Sequence, residues 1–541
     1  MDPILSYHER SKHHLERYAP GPGELDWASQ PDPFRSYPGT PELELPLLTR
    51  ELSVSWDELC SSVQLRQQAL NVDALACLLQ LSLGLSAWKS YGGSRWALRC
   101  NPSSGNLHPT EGYLICPDLP GVPAGVHHYR PERHCLEQRA AAPFSWPDGV
   151  LLALTGIHWR EAWKYGMRAF RYCQHDCGHA LAALSYAAAA LGWQVRLLSA
   201  WGDAEIAAIT GVDRTAEFPA AEPEVPEALV WIGRGTAPAA TEVLAQMKGA
   251  VWSGSANTLS QQHRDWPDIP AVAAATRKPT GKVMAADAQQ ALPDLVPTSR
   301  LSVSELIRGR RSAQAFDAVT AISAQCFYRL LDALLPRADL PPWAMMNVEP
   351  CVHPVLFVHR VEGLEPGLYC LPRCANAFIE LRSAMRPDWL WASVPGCPDH
   401  LPLFLLAPLD VKQFAVTTSC HQDIAGDSAF ALAMLARFDD IGQAEPWLYR
   451  QRFWEAGMLG QVLYLEAEAA GVQGTGIGCY FDDEVHRALE LDTQRFQDIY
   501  HFTVGKALVD ARLGHEPAYA NLEAGVGRRE ILGADLTGKG T

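Results

Sequence analysis

The sequence predicts an α+β protein made of two related halves, each a central antiparallel or mixed sheet flanked by helices. Three observations carry that prediction. The chain has 541 residues, more than one hydrophobic core ordinarily serves. Segments with helix periodicity and segments with strand character interleave along it. A stretch near its middle also recurs near its end. GWQVRLLSAWGDAE (192–205) lies over GVQGTGIGCYFDDE (471–484) at an offset of 279, without a gap. Gly, Gln, Asp and Glu coincide at four of the fourteen positions, where about one is expected from average usage.

The elements follow in order. Residues 1–48, rich in proline and aromatics, read as an extended arm lying on the rest of the protein. Half one, 49–235, opens with the apolar, helix-compatible run Leu75 to Trp88 and continues with a strand over Gly112 to Pro117. The Ala- and Leu-rich stretch 169–192 reads as a buried helix stopped by Gly192, and EALVWIG (227–233) as the closing strand. Residues 236–298 shift to Ala, Pro, Thr, Gln and Lys with weak periodicity, the signature of a linker or crossover. Half two, 299–515, begins with the helix LSVSELIRGR and ends with the strand YHFTVGK at 500–506; residues 516–541 read as a tail. Two further likenesses fit the repeat: GVHHYRPERHCLE (125–137) to GLYCLPRCANAFIE (367–380), and LHPTEGYLI (107–115) to VHPVLFVH (352–359).

Composition narrows the function classes. With 45 Lys and Arg against 61 Asp and Glu, the net charge of −16 argues against a nucleic-acid partner and against a polybasic membrane surface. No run of 18 apolar residues and no signal-peptide core is present, so a cytoplasmic location is expected. The 14 cysteines are scattered and read as free thiols. CQHDCGH (173–179) gathers Cys173, His175, Cys177 and His179, but helical spacing turns the cysteines and histidines to different faces, so no metal is expected. CLPRC (370–374) reads as structural thiols, and His8, His13 and His14 as packing or solvent-facing residues of the arm rather than substrate contacts. Asp482 and Asp483 are expected to cap a helix starting near Glu484.

The halves differ where an anion would sit. Half two has GTGIG at 474–478, whose missing side chains let backbone N–H groups approach a phosphate; half one has VRLLS at the matching positions. Half two also has RGRRSAQAF (308–316), where Arg310 or Arg311 with the Ser312 hydroxyl offers charge-assisted bonds. Half one instead carries NPSSGNLHP (101–109), whose hydroxyls and amides suit a planar heterocycle, against NVEPCVHP in half two. The complementary losses point to one composite site.

These segments together resemble the nitroreductase-like flavoproteins, and among them the azoline-dehydrogenase branch, the SagB/ThcOx type. YHERSKHH (7–14), DWASQPDPFRSY (26–37) and HWREAWKYGMRAFRY (158–172) are similar to segments of that branch. The resemblance implies two fused nitroreductase-like domains forming a pseudo-dimer, with FMN at their interface. It places Arg310, Arg311, Ser312, Gly474, Thr475, Gly476, Ile477 and Gly478 on the phosphate side, and Pro102, Ser103, Ser104 and Asn106 along the flavin ring. Lys164 and Tyr165 become the catalytic pair. Half two has no Lys–Tyr equivalent, which favours a single site, and Gln314 stands where many relatives carry a basic residue.

The implied reaction is oxidation of a peptide-borne or small heterocycle, as from azoline to azole. Lys164, if desolvated, would be the base and Tyr165 the relay. Two other classes stand beside it: an NAD(P)H-dependent reductase of nitro compounds or quinones, and a flavin-free scaffold. The fused pair can act as a monomer, with further dimerisation left open.

Overall fold

Two helices of 22 residues, Ala169–Ala190 and Leu448–Ala469, pack side by side. Nearly every residue of both is buried, charged ones such as Arg171 and Arg450 included, because each helix is covered on all sides. They cross at Gly178 and Gly457, where an added Cβ would collide with the carbonyl oxygens of Trp454 and His175, so the close approach needs glycine on both sides. The first residues of the two helices, 169 and 448, stand at the same offset of 279 as the repeated segment. The computed structural model describes residues 2–283, 291–346, 348–442, 445–523 and 530–531.

A sheet flanks each helix. In half one the strands run Glu42–Glu44, Cys135–Ala141, Gly125–Arg130, Thr110–Cys116, Gly149–Gly156, Val225–Gly233 and Val195–Leu197. In half two the order is Ala392–Ser393, Phe404–Pro408, Gly367–Cys370, Val352–Val358, Phe430–Arg437, Phe496–Gly505 and Gln473–Ile477. From the second strand on, the two orders correspond, and every ladder in these sheets is antiparallel. Central strands such as Gly149–Gly156 and Val352–Val358 are buried throughout, because both faces are covered. One apolar cluster runs through both halves, and a further cluster backs each sheet.

Several expectations need correction. The run Leu75 to Trp88 is not one helix. The helix spans Val72–Ser82, capped by Asn71, and Leu85–Tyr91 is a strand paired with Ser94–Arg99. Gly84 marks the break: a Cβ there would lie 2.5 Å from the Gln80 carbonyl oxygen, and Leu85 N bonds the Tyr519 hydroxyl at 2.8 Å. Apolar character continues through both elements, so periodicity alone could not end the helix. The arm opens as the helix Pro3–Arg10, because the Asp2 carboxylate accepts from Ile4 N and Leu5 N and proline suits the first turn. The likeness of 125–137 to 367–380 holds only through the strands Gly125–Arg130 and Gly367–Cys370. Beyond them half one forms the strand Cys135–Ala141 and half two the helix Ala375–Ala384.

Asp482 does not cap its helix. It is the first residue of Asp482–Leu489, buried, with its carboxylate on Arg168 and Arg171. Residues 236–298 contain the helices Ala240–Gln246 and Asp268–Ala275, and Val251–Trp252 pairs with Ala140 and Ala141; 284–290 lie outside the described residues. Of 516–541, Tyr519 is buried against half one, while 524–529 and 532–541 lie outside the described residues. Among the described residues no helix is long and apolar enough to cross a membrane.

Candidate functional site

A cleft of about 240 Å³ lies between the halves. Half two supplies the strand Gln473–Ile477 at its sheet edge, and Ser312 bridges to Gly474. Ala313 N donates to the Gly474 carbonyl at 3.1 Å, and Thr475 Oγ1 to the Ala313 carbonyl at 2.6 Å. The Tyr464 hydroxyl accepts from Gly476 N and meets Ser312 Oγ, both at 2.9 Å. A Cβ on Gly476 would strike the Tyr500 hydroxyl, and one on Gly478 the Tyr172 ring.

Half one supplies the turn Pro102 to Asn106, tightened by left-handed backbone at Gly105 (φ +62°) and Asn106 (φ +56°). His108 N donates to Ser103 Oγ at 2.8 Å, and Ser104 N to the Asp176 carboxylate at 3.2 Å. Pro102, Ser103, Ser104, Asn106, Arg310, Arg311, Ser312, Thr475, Gly476 and Gly478 all line the cleft, as does Gln314. Gly474 and Ile477 do not: Gly474 sits in the ladder behind Ser312, and Ile477 packs into the core behind the sheet.

The charge in the cleft is unbalanced. Arg310 is only 3% exposed, yet its Nε and Nη1 have no partner; Nη2 alone donates, to the Arg99 carbonyl at 3.2 Å. Its guanidinium lies 4.9 Å over the Tyr464 ring. The Arg311 guanidinium donates to the carbonyls of Arg308, Arg310 and Ser86. Lys89 and Arg99 reach the same cleft, and none of these four cations forms an ion pair among the described residues. Burial pushes the Arg310 and Arg311 guanidiniums and the Lys89 ammonium down from their ordinary values; repulsion from Arg310 adds to it at Arg311, and repulsion from Arg311 and Arg310 at Lys89. Unbonded buried guanidinium nitrogens fit a phosphate, which accepts several charge-assisted bonds at once.

Lys164 and Tyr165 end the helix His158–Tyr165, which stops at Gly166 (φ +57°). They reach the rim of the cleft together: a Cβ on Gly105 would lie 2.7 Å from the Tyr165 hydroxyl and 3.0 Å from Lys164 Nζ. The Tyr165 ring meets Tyr172 edge-on at 4.6 Å. Burial raises the Tyr165 phenol well above its ordinary value. Positions 443 and 444, which would answer to this pair in half two, lie outside the described residues.

Sequence reasoning missed Asp176, Glu161 and His179. Burial raises the Asp176 carboxyl to about 7, against the opposing bonds from Ser103 and Ser104. Burial and the neighbouring Asp176 hold Glu161 well above the usual carboxylate range. His179, pushed down to about 3 by burial, sits 3.1 Å from the Tyr500 hydroxyl. Asp176 and His179 lie within CQHDCGH, weighed only as a metal site. There His175 stacks on Tyr500 at 4.2 Å, and the four candidate ligands do not converge. The converging group among the described residues is Glu9, His14 and Asp483, and the Lys12 ammonium already bridges Glu9 and Asp483 at 3.0 Å each.

A larger cavity of about 620 Å³ opens behind the same helix, between Trp159, Trp266, Glu227 and Arg450. Its buried charges are already matched, Arg450 with Asp203 and Glu227, His158 with Glu227, and Glu222 with His263. The smaller cleft is therefore the better candidate for chemistry.

No protein-family model matches the chain. A structure from Anabaena variabilis, described as a nitroreductase, superposes with a TM-score of 0.66 over 94% of this chain and 100% of its own, at 20% identity. The fold is that of a nitroreductase. In sequence, a protein of Methanocaldococcus jannaschii that carries the name nitroreductase is 31% identical over 118 residues, 19% of this chain. That match spans 60% of the relative's length. The cleft between the halves takes strands and turns from both.

Proposed function

We propose that this chain is an FMN-dependent oxidoreductase with one composite site, half two holding the phosphate end of the cofactor and half one its ring. Arg310 is the observation that supports this most: a buried guanidinium with two unbonded nitrogens, beside three further cations that form no ion pair among the described residues. Arg310, Arg311 and Ser312 would hold the phosphate, with the backbone of the 474–478 strand, and Pro102 to Asn106 would line the ring. FMN, when bound, supplies the two-electron redox chemistry. On this reading the halves descend from one duplicated unit. The offset of 279 shared by the repeated segments and the two central helices supports that.

Dehydrogenation of a peptide-borne or small heterocycle makes the fullest use of the rim. Lys164 Nζ takes the ring proton, the Tyr165 hydroxyl passes it on, and the buried acids Asp176 and Glu161 hold protons behind them. A reductase of nitro compounds or quinones driven by NAD(P)H is the second reading, favoured by the name of the sequence relative.

Flavin released from the purified protein and counted per chain tests the proposal. One FMN per chain, lost in Arg310→Met, supports it. None after reconstitution with excess FMN overturns it and leaves the scaffold. Lys164→Met and Tyr165→Phe then separate the two reactions. A dehydrogenase is expected to lose about 10²-fold or more of its rate, whereas a reductase keeps its NAD(P)H-driven turnover.

A further inference from the structure

Of the 14 cysteines, nine are buried. Cys420 and Cys479 are part-exposed and lie together. Gln422 Nε2 donates to the Ser419 carbonyl at 2.8 Å and to the Cys479 carbonyl at 3.0 Å, and Phe481 N donates to the Thr418 carbonyl at 2.8 Å. These bonds stitch the two segments side by side, which brings the Cys420 and Cys479 thiols close enough to perturb one another.

The backbone at this turn is strained. Cys420 (φ +53°) and His421 (φ +59°) are consecutive left-handed residues that are not glycine, a conformation that persists where the surroundings enforce it. The Arg168 guanidinium makes the surroundings of Cys479 electropositive. The Cys420 thiol and then His13 bring the Cys479 thiol down to about 5, while Cys479 and then burial raise Cys420. One sulfur is thus the nucleophile and its neighbour the resolving thiol. The pair Cys370 and Cys374, four residues apart, lacks this: burial raises both.

We propose that Cys420 and Cys479 form a redox-active dithiol that low-molecular-weight disulfides oxidise to a protein disulfide. The Cys479 thiolate attacks one sulfur of the small disulfide; a mixed disulfide forms, and one thiolate leaves and takes a proton from solvent. Cys420 gives its proton to solvent and attacks the Cys479 sulfur. The Cys420–Cys479 bond forms and the second small thiolate leaves. Two cysteines are oxidised, and one small disulfide is reduced to two thiols.

The test uses the reduced full-length protein with excess oxidised glutathione, quenched in acid and mapped by mass spectrometry. The expected product is a Cys420–Cys479 disulfide. In Cys420→Ser the reaction should stop at a glutathione adduct on Cys479, and in Cys479→Ser residue 420 should stay reduced. Alkylation of Cys479 at mildly acidic pH should outpace the other cysteines by about tenfold or more. Both thiols remaining free in the folded protein, while the urea-unfolded chain reacts, would overturn the proposal. So would a glutathione adduct that persists on Cys479 in the unmutated protein, or a disulfide mapped to other cysteines.

Discussion

Arg171 pairs with Asp482, and 279 residues further along Arg450 pairs with Asp203, so each central helix sends an arginine to an acid of the other half. Each acid opens an eight-residue helix, Asp203–Thr210 and Asp482–Leu489. Each is also held by two backbone bonds. Asp482 exchanges them with His13, three residues past the helix Pro3–Arg10, and Asp203 with Lys278, three past Asp268–Ala275. Those two short helices meet through Arg10 and Asp268 at 2.7 Å. The charges break this near-symmetry. Asp482 receives both Arg168 and Arg171, whereas Arg450 is shared between Asp203 and Glu227.

The two junctions should therefore answer pH with opposite sign. Burial alone would raise Asp482, but Arg168 and Arg171 overcome it and hold the carboxyl far below its usual range; burial leaves Asp203 raised. The stability from Asp482 is present above about pH 4 and lost as the pH falls further. That from Asp203 is present below about pH 4 and lost as the pH rises through its elevated value. Asp482→Asn is expected to cost about 3–5 kcal/mol in urea unfolding at pH 7, and Asp203→Asn no more than about 1–2 kcal/mol. Equal losses would show that the second arginine contributes nothing.

Arg310→Met should separate folding from cofactor binding. The side chain buries guanidinium nitrogens that no protein group satisfies, so removing it relieves a desolvation cost in the flavin-free protein. The flavin-free variant is expected to melt no lower than the parent. Its affinity for FMN, followed by fluorescence quenching, should fall by about 10- to 100-fold, the loss of one or two charge-assisted bonds. A variant that melts lower and keeps its affinity would place the phosphate elsewhere.

The sequence made the gathering of residues at the cleft legible because glycines, arginines and the PSSGN turn are lost from opposite halves. Ile477 shows where that reading stops. In a strand, alternate residues face opposite sides, so a continuous GTGIG motif cannot line one cleft along its whole length. Asp176 was hidden for another reason. Its role depends on burial beneath Ser104, and nothing in CQHDCGH states how deep that helix lies. The end of the Val72–Ser82 helix was illegible because the strand that follows is equally apolar.

Asp176 gives the cleft a second pH dependence. Its folded value of about 7 lies above the ordinary carboxylate value near 3.9. The stability it contributes is therefore complete below about pH 4 and disappears as the pH rises through 7. The melting temperature of the flavin-free protein should fall across that interval by on the order of 5 °C. Asp176→Asn should flatten the slope while leaving the acid side almost unchanged. An identical slope in the variant would assign the titration to Glu161 or another buried acid.

Gly476 and Gly478 test whether the strand at the cleft must stay bare. An added methyl at Gly476 meets the Tyr500 hydroxyl, and one at Gly478 meets the Tyr172 ring. Neither glycine has a left-handed backbone, so the cost of alanine is collision and not conformation. In Gly478→Ala the displaced ring is Tyr172, which supports Tyr165 edge-on, so the disturbance passes to the Lys164–Tyr165 rim of the cleft. Overpacking of this kind costs about 1–3 kcal/mol. Gly478→Ala paired with Tyr172→Leu removes the clashing ring edge and should recover the lost stability. Flavin binding should recover with it if the clash is the cause. Turnover should not, because Tyr165 then lacks its support. Recovery of all three would show that Tyr172 only fills space.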